Sequence, residues 1–501
     1  MTFYIKGHRF GYELQRLAQT FFFGEKIEVI EGAPDDGVER EYLYALLDGQ
    51  RLLLRARLRA RVQSGLFADA AGWEDKKPVV ILLEDRAGPG DPPKQLEHKF
   101  AALLYGLLSQ LTGLTPQWGV LTGIRPVRLF LTQMENGLDE PALRRHFIGE
   151  RQVSEERFQL ALDTARIERP LLSRLSERDF SLYVSIPFCP TRCAYCSFVS
   201  HSIGRAAKLI PAYLDRLCEE LADLARIVSE LGLRLRTVYF GGGTPTTLTA
   251  EQLARLMDTI SDSFDLSGLW EYTVEAGRPD TVTAEKLRTI RSHGAHRISI
   301  NPQTLEEGVL REIGRRHTSA QLLEAYQMAR SEGFDSINMD LIAGLPTDTR
   351  EGFSRTLDGV LRLAPENITV HTLTVKRAAD LTFPQARAEL DLVCGMVDEA
   401  RQRITSAGLN PYYLYRQAGS LSSLENVGYA KPGTEGLYNI YIMDDSHTVL
   451  AVGAGGATKL CRRSDGRIER VFNYKYPYEY IERFDTVRAR KEKIRQFYGR
   501  G

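Results

Sequence analysis

The sequence has no excess of charge of either sign, because 65 lysines and arginines are balanced by 65 aspartates and glutamates. A neutral chain gives no electrostatic argument for binding nucleic acid or an anionic membrane, so neither is expected as a partner. No apolar stretch is long enough for a transmembrane helix, and the first residues lack the apolar run of a signal peptide. We therefore expect a cytoplasmic protein without a membrane span.

Cysteine is scarce, with six in 501 residues, and half of them lie in one short segment. In a reducing cytoplasm such a cluster indicates a metal centre or catalysis more than a disulfide framework. The other three, Cys218, Cys394 and Cys461, carry no local motif, and we interpret them as small buried hydrophobic residues. The length of the chain predicts two or three domains.

Three regions are predicted from changes of pattern along the chain. Residues 1–165 combine strand candidates with an apolar helix, which indicates an α+β domain of unknown role. Residues 175–380 contain six strand–helix alternations, which predict parallel strands with right-handed crossovers. Six units fall short of the eight in a closed barrel, so we predict an α/β fold with an open, six-unit (β/α) partial TIM barrel. Residues 381–501 are less regular and are expected to form a C-terminal extension.

The string SIPFCPTRCAYCSF follows the first predicted barrel strand and holds Cys189, Cys193 and Cys196 in the spacing C-x3-C-x2-C. Thiolate is the soft ligand that iron–sulfur clusters require, and three thiolates on one loop can each bind a different iron of a [4Fe–4S] cube. The fourth iron then stays open, and we expect S-adenosylmethionine (SAM) there as the source of a 5′-deoxyadenosyl radical. A zinc site with His201 as fourth ligand, or a pair of redox thiols, is the alternative.

The segment YVSIPFCPTRCAYCSF resembles the signature of oxygen-independent coproporphyrinogen III dehydrogenases and their relatives, which include HemZ-type proteins and haem chaperones. The resemblance covers about residues 180–380 and continues weakly to about residue 460, and the long N-terminal domain is most similar to HemZ-type chains. It implies a radical SAM fold, a [4Fe–4S] cluster and SAM as cofactors, and a tetrapyrrole substrate or haem as partner. The electron donor that such chemistry needs is not identified by the sequence.

The resemblance also assigns SAM contacts to nine positions of this chain. They are Tyr183, Gly242, Gly243, Thr244, Glu275, Gln303, Arg315, Asp340 and Thr374. Glycines at a strand end let the backbone approach a ligand closely and offer main-chain hydrogen bonds. A charged residue inside an apolar strand is costly unless it is paired, which singles out Asp340, although a structural ion pair is the alternative. For Arg315, which is followed by Arg316, the alternative is a solvated charge at a helix end.

Two departures from the family pattern leave the reaction open. The dehydrogenases carry a further cysteine two residues after the third, where this chain has Phe198. The H-N-x-x-Y-W string of the haem chaperones is only partly matched by LYNIYIMDD, in which Asn439 and Tyr441 remain. The leading hypothesis is oxidative decarboxylation of coproporphyrinogen III to protoporphyrinogen IX, with no catalytic residue assigned. The rival hypotheses are a haem chaperone, with His201 or His371 as iron ligand, and a radical SAM enzyme with another substrate.

A substrate with four carboxylates calls for basic side chains at the mouth of its site. The candidates near predicted strand ends are Arg205, Lys208, Lys376 and Arg377, and a solvated surface charge is the alternative for each. The most distinctive string of the N-terminal region, GVLTGIRPVRLF at residues 119–130, is interpreted as a turn followed by an amphipathic packing segment.

Overall fold

The computed structural model describes residues 1–22, 25–35, 37, 39–59, 78–196, 201–373, 383–416 and 424–499, without the side chains of residues 205 and 383–387. The chain divides into two compact units. The first unit contains Met1–Ala165, Thr374–Cys394 and Tyr415–Glu425, and the second contains Arg166–Leu373, Gly395–Leu414 and Asn426–Gly501. The three-domain division suggested by the sequence stays a prediction.

The first unit combines a sheet with helices. Its elements are β1 (Thr2–Lys6), α1 (Gly11–Gln19), β2 (Glu28–Glu31), β3 (Tyr42–Asp48), β4 (Arg51–Leu58), β5 (Val79–Arg86), α2 (Pro93–Thr112), α3 (Pro126–Glu135), α4 (Glu140–Arg144) and α5 (Glu155–Ser173), the last of which continues into the second unit. Among the described residues the strand order is β2-β1-β3-β4-β5, with β1 parallel to both neighbours and β3, β4 and β5 antiparallel. A tight turn joins β3 to β4, in which Asp48 pairs with Arg51 and Gly49 takes the left-handed φ of +59° that glycine adopts without steric cost.

The string at residues 119–130 is anchored by buried polar groups of the first unit. The main-chain N–H of Arg416 donates to the Ile124 carbonyl over 2.7 Å, and its guanidinium donates to the Leu121 carbonyl. Burial lowers the pKa of Arg416 to about 10. The next residues form α3, which buries Val127 and Phe130. The interpretation of this string as a turn followed by a packing segment is therefore confirmed.

The second unit is an α/β structure. Its strands are β6 (Asp179–Ile186), β7 (Phe188–Cys189), β8 (His201–Ser202), β9 (Arg234–Gly242), β10 (Glu271–Glu275), β11 (Arg297–Ser299), β12 (Ser336–Ala343), β13 (Asn367–Thr372), β14 (Asn410–Arg416), β15 (Glu425–Ala430), β16 (Thr448–Val452), β17 (Ala457–Arg462) and β18 (Arg467–Phe472). Its helices are α6 (Ile203–Ala206), α7 (Ile210–Glu230), α8 (Ala250–Ser263), α9 (Ala284–Ser292), α10 (Glu307–Glu312), α11 (Ser319–Ser331), α12 (Arg350–Leu363), α13 (Phe383–Ser406), α14 (Leu437–Asp444), α15 (Pro477–Glu482) and α16 (Phe484–Tyr498). Strands β14 and β15 and helix α13 each have some residues in the first unit.

Within the described residues, eleven strands form one sheet in the order β14-β15-β13-β12-β11-β10-β9-β6-β16-β17-β18. The run from β6 to β13 is parallel and contains the six predicted strands, so the open partial barrel is confirmed. The C-terminal part of the chain lengthens the sheet at both ends, because β16 pairs in parallel with β6 and β15 pairs antiparallel with β13. No helix in the described ranges is long and apolar enough to cross a membrane.

Helix α7 shows why the barrel helices form where they do. Leu214, Leu217, Leu221 and Leu224 recur three or four residues apart and are all buried. This spacing puts them on one face of a helix, which packs against the sheet. The helix begins at Ile210, and a short helix and a 3₁₀ turn occupy the residues directly before it.

Candidate cluster and SAM site

The three cysteines lie on the loop that follows β6. The loop is closed locally by a hydrogen bond from the Cys196 N–H to the Cys193 carbonyl, over 3.2 Å. It is also tied to the turn after α10, because the Ala194 N–H donates to the Ile313 carbonyl over 3.0 Å. These two bonds hold the segment from Cys193 to Cys196 in a turn that is anchored at Ile313.

Thr244 and Arg278 each donate a hydrogen bond to a sulfur of the cysteine loop. The Thr244 hydroxyl lies 3.5 Å from Cys189 Sγ, and the Arg278 Nη1 lies 3.7 Å from Cys193 Sγ. Arg278 is 3% exposed and forms a two-point ion pair with Asp280, with both N–O distances at 3.0 Å. A donor and a positive charge next to sulfur stabilise thiolate, the form that binds iron.

The donor set suits an iron–sulfur cluster. Three thiolates on one loop can each bind a different iron of a [4Fe–4S] cube, and thiolate is the ligand that such clusters require. His201, the alternative zinc ligand, packs its ring edge-on to Tyr476 and Tyr478, with ring centroids 5.8 and 6.4 Å away.

The glycine loop after β9 packs directly on the cysteine loop. A Cβ at Gly243 would lie 2.5 Å from the Phe188 carbonyl oxygen and 3.0 Å from Cys189 Sγ, so no larger residue fits. The N–H groups of Gly243 and Thr244 donate to the carbonyls of Ile186 and Phe188, both over 2.8 Å. These two N–H groups bind the strand end to the cysteine loop, and the assignment of Gly243 and Thr244 as SAM contacts stays a prediction.

One partly exposed side chain lies near the carboxyl end of each of five parallel strands. In chain order these are Tyr183, Tyr239, Glu275, Asp340 and His371. The register places Tyr183 directly beside Tyr239, and Gly242, with φ of +108°, ends β9 beside Ile186. Because the carboxyl ends of parallel strands meet at one edge, where ligands of α/β proteins bind, this row forms the floor of a candidate site.

Glu275 is linked to a stack of three tyrosines. The Tyr239 hydroxyl donates to Glu275 Oε1 over 2.5 Å. The ring of Tyr438, from α14, stacks on Tyr239 and Tyr183 with centroids 4.2 and 5.9 Å away. Burial raises the pKa of Glu275 to about 7 and the charge of Asp340 adds to the rise, whereas the Tyr239 hydrogen bond opposes it.

Asp340 keeps its negative charge in spite of its surroundings. Burial alone would raise its pKa, but contacts with His371 and Asn338 outweigh burial, so the pKa is lowered. The Asn338 amide donates to Asp340 Oδ1 over 2.8 Å, and His371 Nε2 lies 3.8 Å from Asp340 Oδ2. His371 therefore lies within reach of Asp340, and it forms an ion pair with this carboxylate only when its ring is protonated.

Gln303 lies just beyond β11 in an unusual backbone conformation. Its φ is +65°, which is uncommon for a residue other than glycine. Its N–H donates to the Asp340 carbonyl over 2.9 Å, and its own carbonyl accepts from the Ile342 N–H over 3.0 Å. Such conformations persist where the surroundings impose them, and they concentrate at functional sites.

Arg315 is a buried residue with three hydrogen-bonded partners. It is 6% exposed, and it donates to the carbonyls of Asn301 (2.7 Å) and Gly277 (3.2 Å) and to the Tyr195 hydroxyl (3.2 Å). The alternative that it is a solvated charge at a helix end is wrong. The neighbouring Arg316 is the exposed member of the pair.

Several predicted residues fall outside the described part of the chain or away from the site. Thr374, Lys376, Arg377, Phe198 and the side chain of Arg205 lie outside the described residues. Lys208 is exposed on a 3₁₀ turn, as the surface-charge alternative expects. Cys218 lies in α7 with the Thr259 hydroxyl 3.4 Å from its Sγ, and Cys461 is buried.

Sequence reasoning missed Tyr239, Arg278, Asn301 and Tyr438. Arg278 had a signal, because it follows directly after the third strand in TVEAGRP. Tyr239 also had one, because strand alternation puts it on the same face as Gly241. For Tyr438 there was none, because nothing in LYNIYIMDD shows which strand that helix meets.

Residues 183–360 match the model of the radical SAM superfamily. With its cysteine loop and open parallel barrel, the protein is a radical SAM protein. It is 38% identical over 407 residues to the oxygen-independent coproporphyrinogen-III oxidase-like protein HemZ of Bacillus subtilis, covering 80% of this chain and 81% of HemZ. The chain belongs to this family of oxygen-independent coproporphyrinogen-III oxidase-like proteins, and its type is that of HemZ. Membership implies SAM and a [4Fe–4S] cluster as cofactors.

The same family includes proteins with a different role. The heme chaperone HemW of Haemophilus influenzae is 32% identical over 306 residues, which cover 60% of this chain and 75% of HemW. The oxygen-independent coproporphyrinogen III oxidase of Escherichia coli is 31% identical over 230 residues, which cover 44% of this chain and half of that protein. The solved structure of coproporphyrinogen III oxidase (HemN) from Escherichia coli aligns with 65% of this chain and 73% of its own, at 24% identity and a TM-score of 0.49.

Proposed function

We propose that this protein converts coproporphyrinogen III to protoporphyrinogen IX by oxidative decarboxylation of two propionate side chains. The observation that carries the proposal is the packing of the cysteine loop on the glycine loop, with Thr244 reaching Cys189, beside the row of acidic and aromatic side chains at the strand ends. The choice of substrate is supported by the name of the relative that is 38% identical over 80% of the chain.

Each conversion turns one –CH2–CH2–COO⁻ group into a vinyl group and releases CO2, one hydrogen atom and one electron. When bound, the cluster and SAM supply the 5′-deoxyadenosyl radical that takes the hydrogen atom from the β-carbon. The electron leaves to an oxidant outside this chain. Two conversions on one molecule give the divinyl product.

The chain's own residues would bind the cluster and SAM and orient them. Cys189, Cys193 and Cys196 would hold the cluster, and Arg278 would donate a hydrogen bond to the sulfur of Cys193. Glu275 and Asp340 would accept hydrogen bonds from the ammonium and hydroxyl groups of SAM. Charge-assisted bonds of this kind are about twice as strong as neutral ones, which favours a pair of carboxylates over neutral side chains at these positions.

An anaerobic assay with coproporphyrinogen III tests the proposal. Reconstituted protein with SAM and dithionite should yield a porphyrinogen that lacks two carboxyl groups, measured by mass spectrometry. Cys193→Ala should lose both the four-iron cluster and the activity, whereas the matched control Cys218→Ala, on α7, should keep both. Cleavage of SAM with the porphyrinogen left intact would overturn the proposal, and a full cluster in Cys193→Ala would overturn the ligand assignment.

A second candidate function, a haem chaperone, is favoured by an aromatic platform next to the cysteine loop. Tyr476 and Tyr478 stack with ring centroids 5.5 Å apart and are 40% and 43% exposed, and His201 lies edge-on to both. An exposed flat aromatic surface suits a planar macrocycle. Two residues that the sequence analysis linked to the chaperones have partners within the protein instead. His371 contacts Asp340, and Asn439 donates to the Tyr412 hydroxyl over 3.2 Å.

Haem titration separates the two functions. A chaperone should bind haem in a one-to-one ratio, and the double variant Tyr476→Ala/Tyr478→Ala should weaken this binding while decarboxylation is absent throughout. Haem binding that is weak, non-stoichiometric or unchanged in the double variant would remove the chaperone as a candidate.

A further inference from the structure

A cavity of about 530 Å³ lies against the cysteine loop and is lined by an unusual concentration of positive charge. Its lining includes Arg192, Arg311, Arg315 and Arg316, but a single carboxylate, that of Glu307. In a chain whose net charge is zero, four guanidinium groups against one carboxylate are a local excess. A concave surface of one sign attracts partners of the opposite sign.

The wall of this cavity lies next to Cys193, one of the proposed cluster ligands. A Cβ at Gly314, which lines the cavity, would lie 3.3 Å from the Arg192 carbonyl oxygen and 4.0 Å from Cys193 Cα. Thr191, also in the lining, donates its hydroxyl to the Gly314 carbonyl over 3.0 Å. A molecule in the cavity is therefore separated from Cys193 by about one layer of residues.

Three of the four arginines of the cavity are accessible, and the fourth, Arg315, is buried. Arg192 and Arg316 are exposed, and the Arg311 side chain is 74% exposed, with Glu307 as a loose partner at 4.0 Å. An exposed pair at this distance contributes little, so Arg311 can exchange Glu307 for another carboxylate at small cost.

A histidine adds hydrogen-bonding capacity deeper in the cavity. His317 is 3% exposed, and neither of its ring nitrogens has a hydrogen-bond partner among the described residues. Burial, with the charge of Arg315, lowers the pKa of His317 to about 4. At neutral pH the ring thus carries one N–H that an entering carboxylate could accept from.

We propose that Arg192, Arg311 and Arg316, here named the arginine rim, dock a small acidic protein that delivers single electrons to the cluster through the wall at Cys193. The inference rests on the cluster that the proposed function requires, and not on the porphyrinogen substrate. The cluster needs one external electron for each SAM consumed, and the rim is the charged surface in contact with a ligand loop. Transient redox partners use small interfaces of this kind, and charge complementarity sets their association rate.

The test compares two electron sources on reconstituted holoenzyme. The probe is a photoreduced acidic flavodoxin, and the reference is dithionite, a small reductant that needs no docking surface. The variant carries Arg192→Glu, Arg311→Glu and Arg316→Glu. The matched control carries Arg226→Glu, Arg288→Glu and Arg362→Glu, three exposed helix residues outside the cavity lining, with the same change of net charge.

Two readouts are measured: cluster bleaching by stopped-flow absorbance, and binding of the oxidised probe by calorimetry. In the rim variant we expect the bimolecular rate with flavodoxin to fall at least about tenfold at low salt and binding to be lost. The rate with dithionite should stay within about twofold, and the control triple should behave as the unmodified protein does. Raising the salt concentration should slow the unmodified protein toward the rim variant, because exposed charges are screened.

Distinct outcomes overturn distinct claims. If the control triple loses as much of the rate with flavodoxin as the rim variant does, the effect is one of net charge. This result would overturn the rim as a docking site. An unchanged rate with flavodoxin in the rim variant would do the same, as would tight binding of inorganic phosphate without binding of the protein, which would make the cavity a small-anion site. Because neither readout involves coproporphyrinogen III, failure of the proposed substrate leaves this test intact.

Discussion

Arg278 places a buried guanidinium beside Cys193, which we propose as a cluster ligand, with its Nη1 3.7 Å from Cys193 Sγ. A positive donor at a ligating sulfur favours the reduced cluster, which carries more negative charge, and so raises its midpoint potential. We expect Arg278→Gln to lower the midpoint potential by about 60 mV, which is a tenfold change in the equilibrium constant of a one-electron couple.

A redox titration of the reconstituted cluster, followed by electron paramagnetic resonance, measures this shift. Arg311→Gln is the control, because it removes an exposed arginine near the same loop. A midpoint that stays constant in Arg278→Gln, or that moves as far in Arg311→Gln, would contradict the assigned role.

Glu275 is poised to change charge near neutral pH, because burial raises its pKa to about 7. The carboxylate is ionised above this value and is neutral below it, so the attraction that we propose it has for the ammonium group of SAM grows as pH rises. We expect SAM affinity to increase between about pH 6 and pH 8 in the unmodified protein and to lose this dependence in Glu275→Gln. Equilibrium binding of SAM to the reconstituted protein across this range measures it.

Tyr239→Phe supplies the sharper test of the same carboxylate. The Tyr239 hydrogen bond lowers the pKa of Glu275, so its removal should move the midpoint of the SAM-binding profile to higher pH. The measured quantity is the difference in midpoint between Tyr239→Phe and the unmodified protein. The amino group of SAM itself titrates at about pH 8, and this contribution is the same for both proteins. A midpoint that moves to lower pH would refute the arrangement.

The sequence could predict the members of this site that belong to local patterns. Cys189, Glu275 and Asp340 lie at or near the ends of runs whose β-rich composition is visible in the sequence, and the cysteine spacing is visible as well. Their partners were not predictable, because His371 and Tyr438 reach them only through the pairing of distant strands and the docking of a distant helix.

At the scale of elements, α14 is held in place by a carboxylate from a barrel strand. Glu271 of β10 accepts from the N–H groups of Leu437 and Tyr438, over 2.5 and 3.4 Å. The first N–H groups of a helix have no partner within the helix, and a negative charge there stabilises it. Glu271 thereby positions the helix that carries Tyr438 onto the tyrosine stack.

We expect Glu271→Gln to loosen the start of α14 without unfolding the barrel. Loss of a helix cap costs about 1 kcal/mol, so exchange of the Leu437 and Tyr438 amides should become about fivefold faster. Hydrogen exchange measured by mass spectrometry on this segment tests the effect. In the control Glu435→Gln, whose carboxylate accepts from the Gly433 N–H before the helix, exchange of these amides should stay unchanged; equal acceleration in both variants would argue against the cap.

The barrel strands were predictable as elements, whereas the ends of the sheet were not. In each of the six strand–helix units the spacing of apolar residues indicates the strand and the helix, so the alternation from β6 to β13 can be predicted from short segments of the sequence. The parallel pairing of β16 with β6 joins Thr448 to Phe180, and no local pattern encodes a pairing over that separation. The C-terminal region therefore looked irregular although it extends the same sheet.

At the scale of the whole second unit, one buried charge network joins the C-terminal region to the barrel. Lys491 of α16 lies 2.7 Å from Glu220 of α7, and both side chains are at most 2% exposed. Glu220 also accepts from the Gly453 N–H (2.7 Å), the Asn473 amide (2.8 Å) and the Tyr480 hydroxyl (2.6 Å). The carboxylate thus binds the loop after β16 and two further segments at one point.

Removing one charge of this pair should lower the stability of the fold much more than removing both charges. Lys491→Met leaves the carboxylate of Glu220 buried without a counter-charge, which costs about 3–5 kcal/mol, whereas Lys491→Met/Glu220→Gln removes both charges and should recover a large part of that loss. Lys493→Met, two residues further along α16 and exposed, is the control and should change stability by less than about 0.5 kcal/mol. A chain of two units need not unfold in one step, so the measurement is native-state hydrogen exchange of the β16 and α16 amides, which reports the opening of these elements themselves.

If the double variant opens as readily as Lys491→Met, the loss of stability comes from the packing of the lysine side chain and not from the unpaired charge of Glu220. The charge network would then not be what holds the C-terminal region to the barrel.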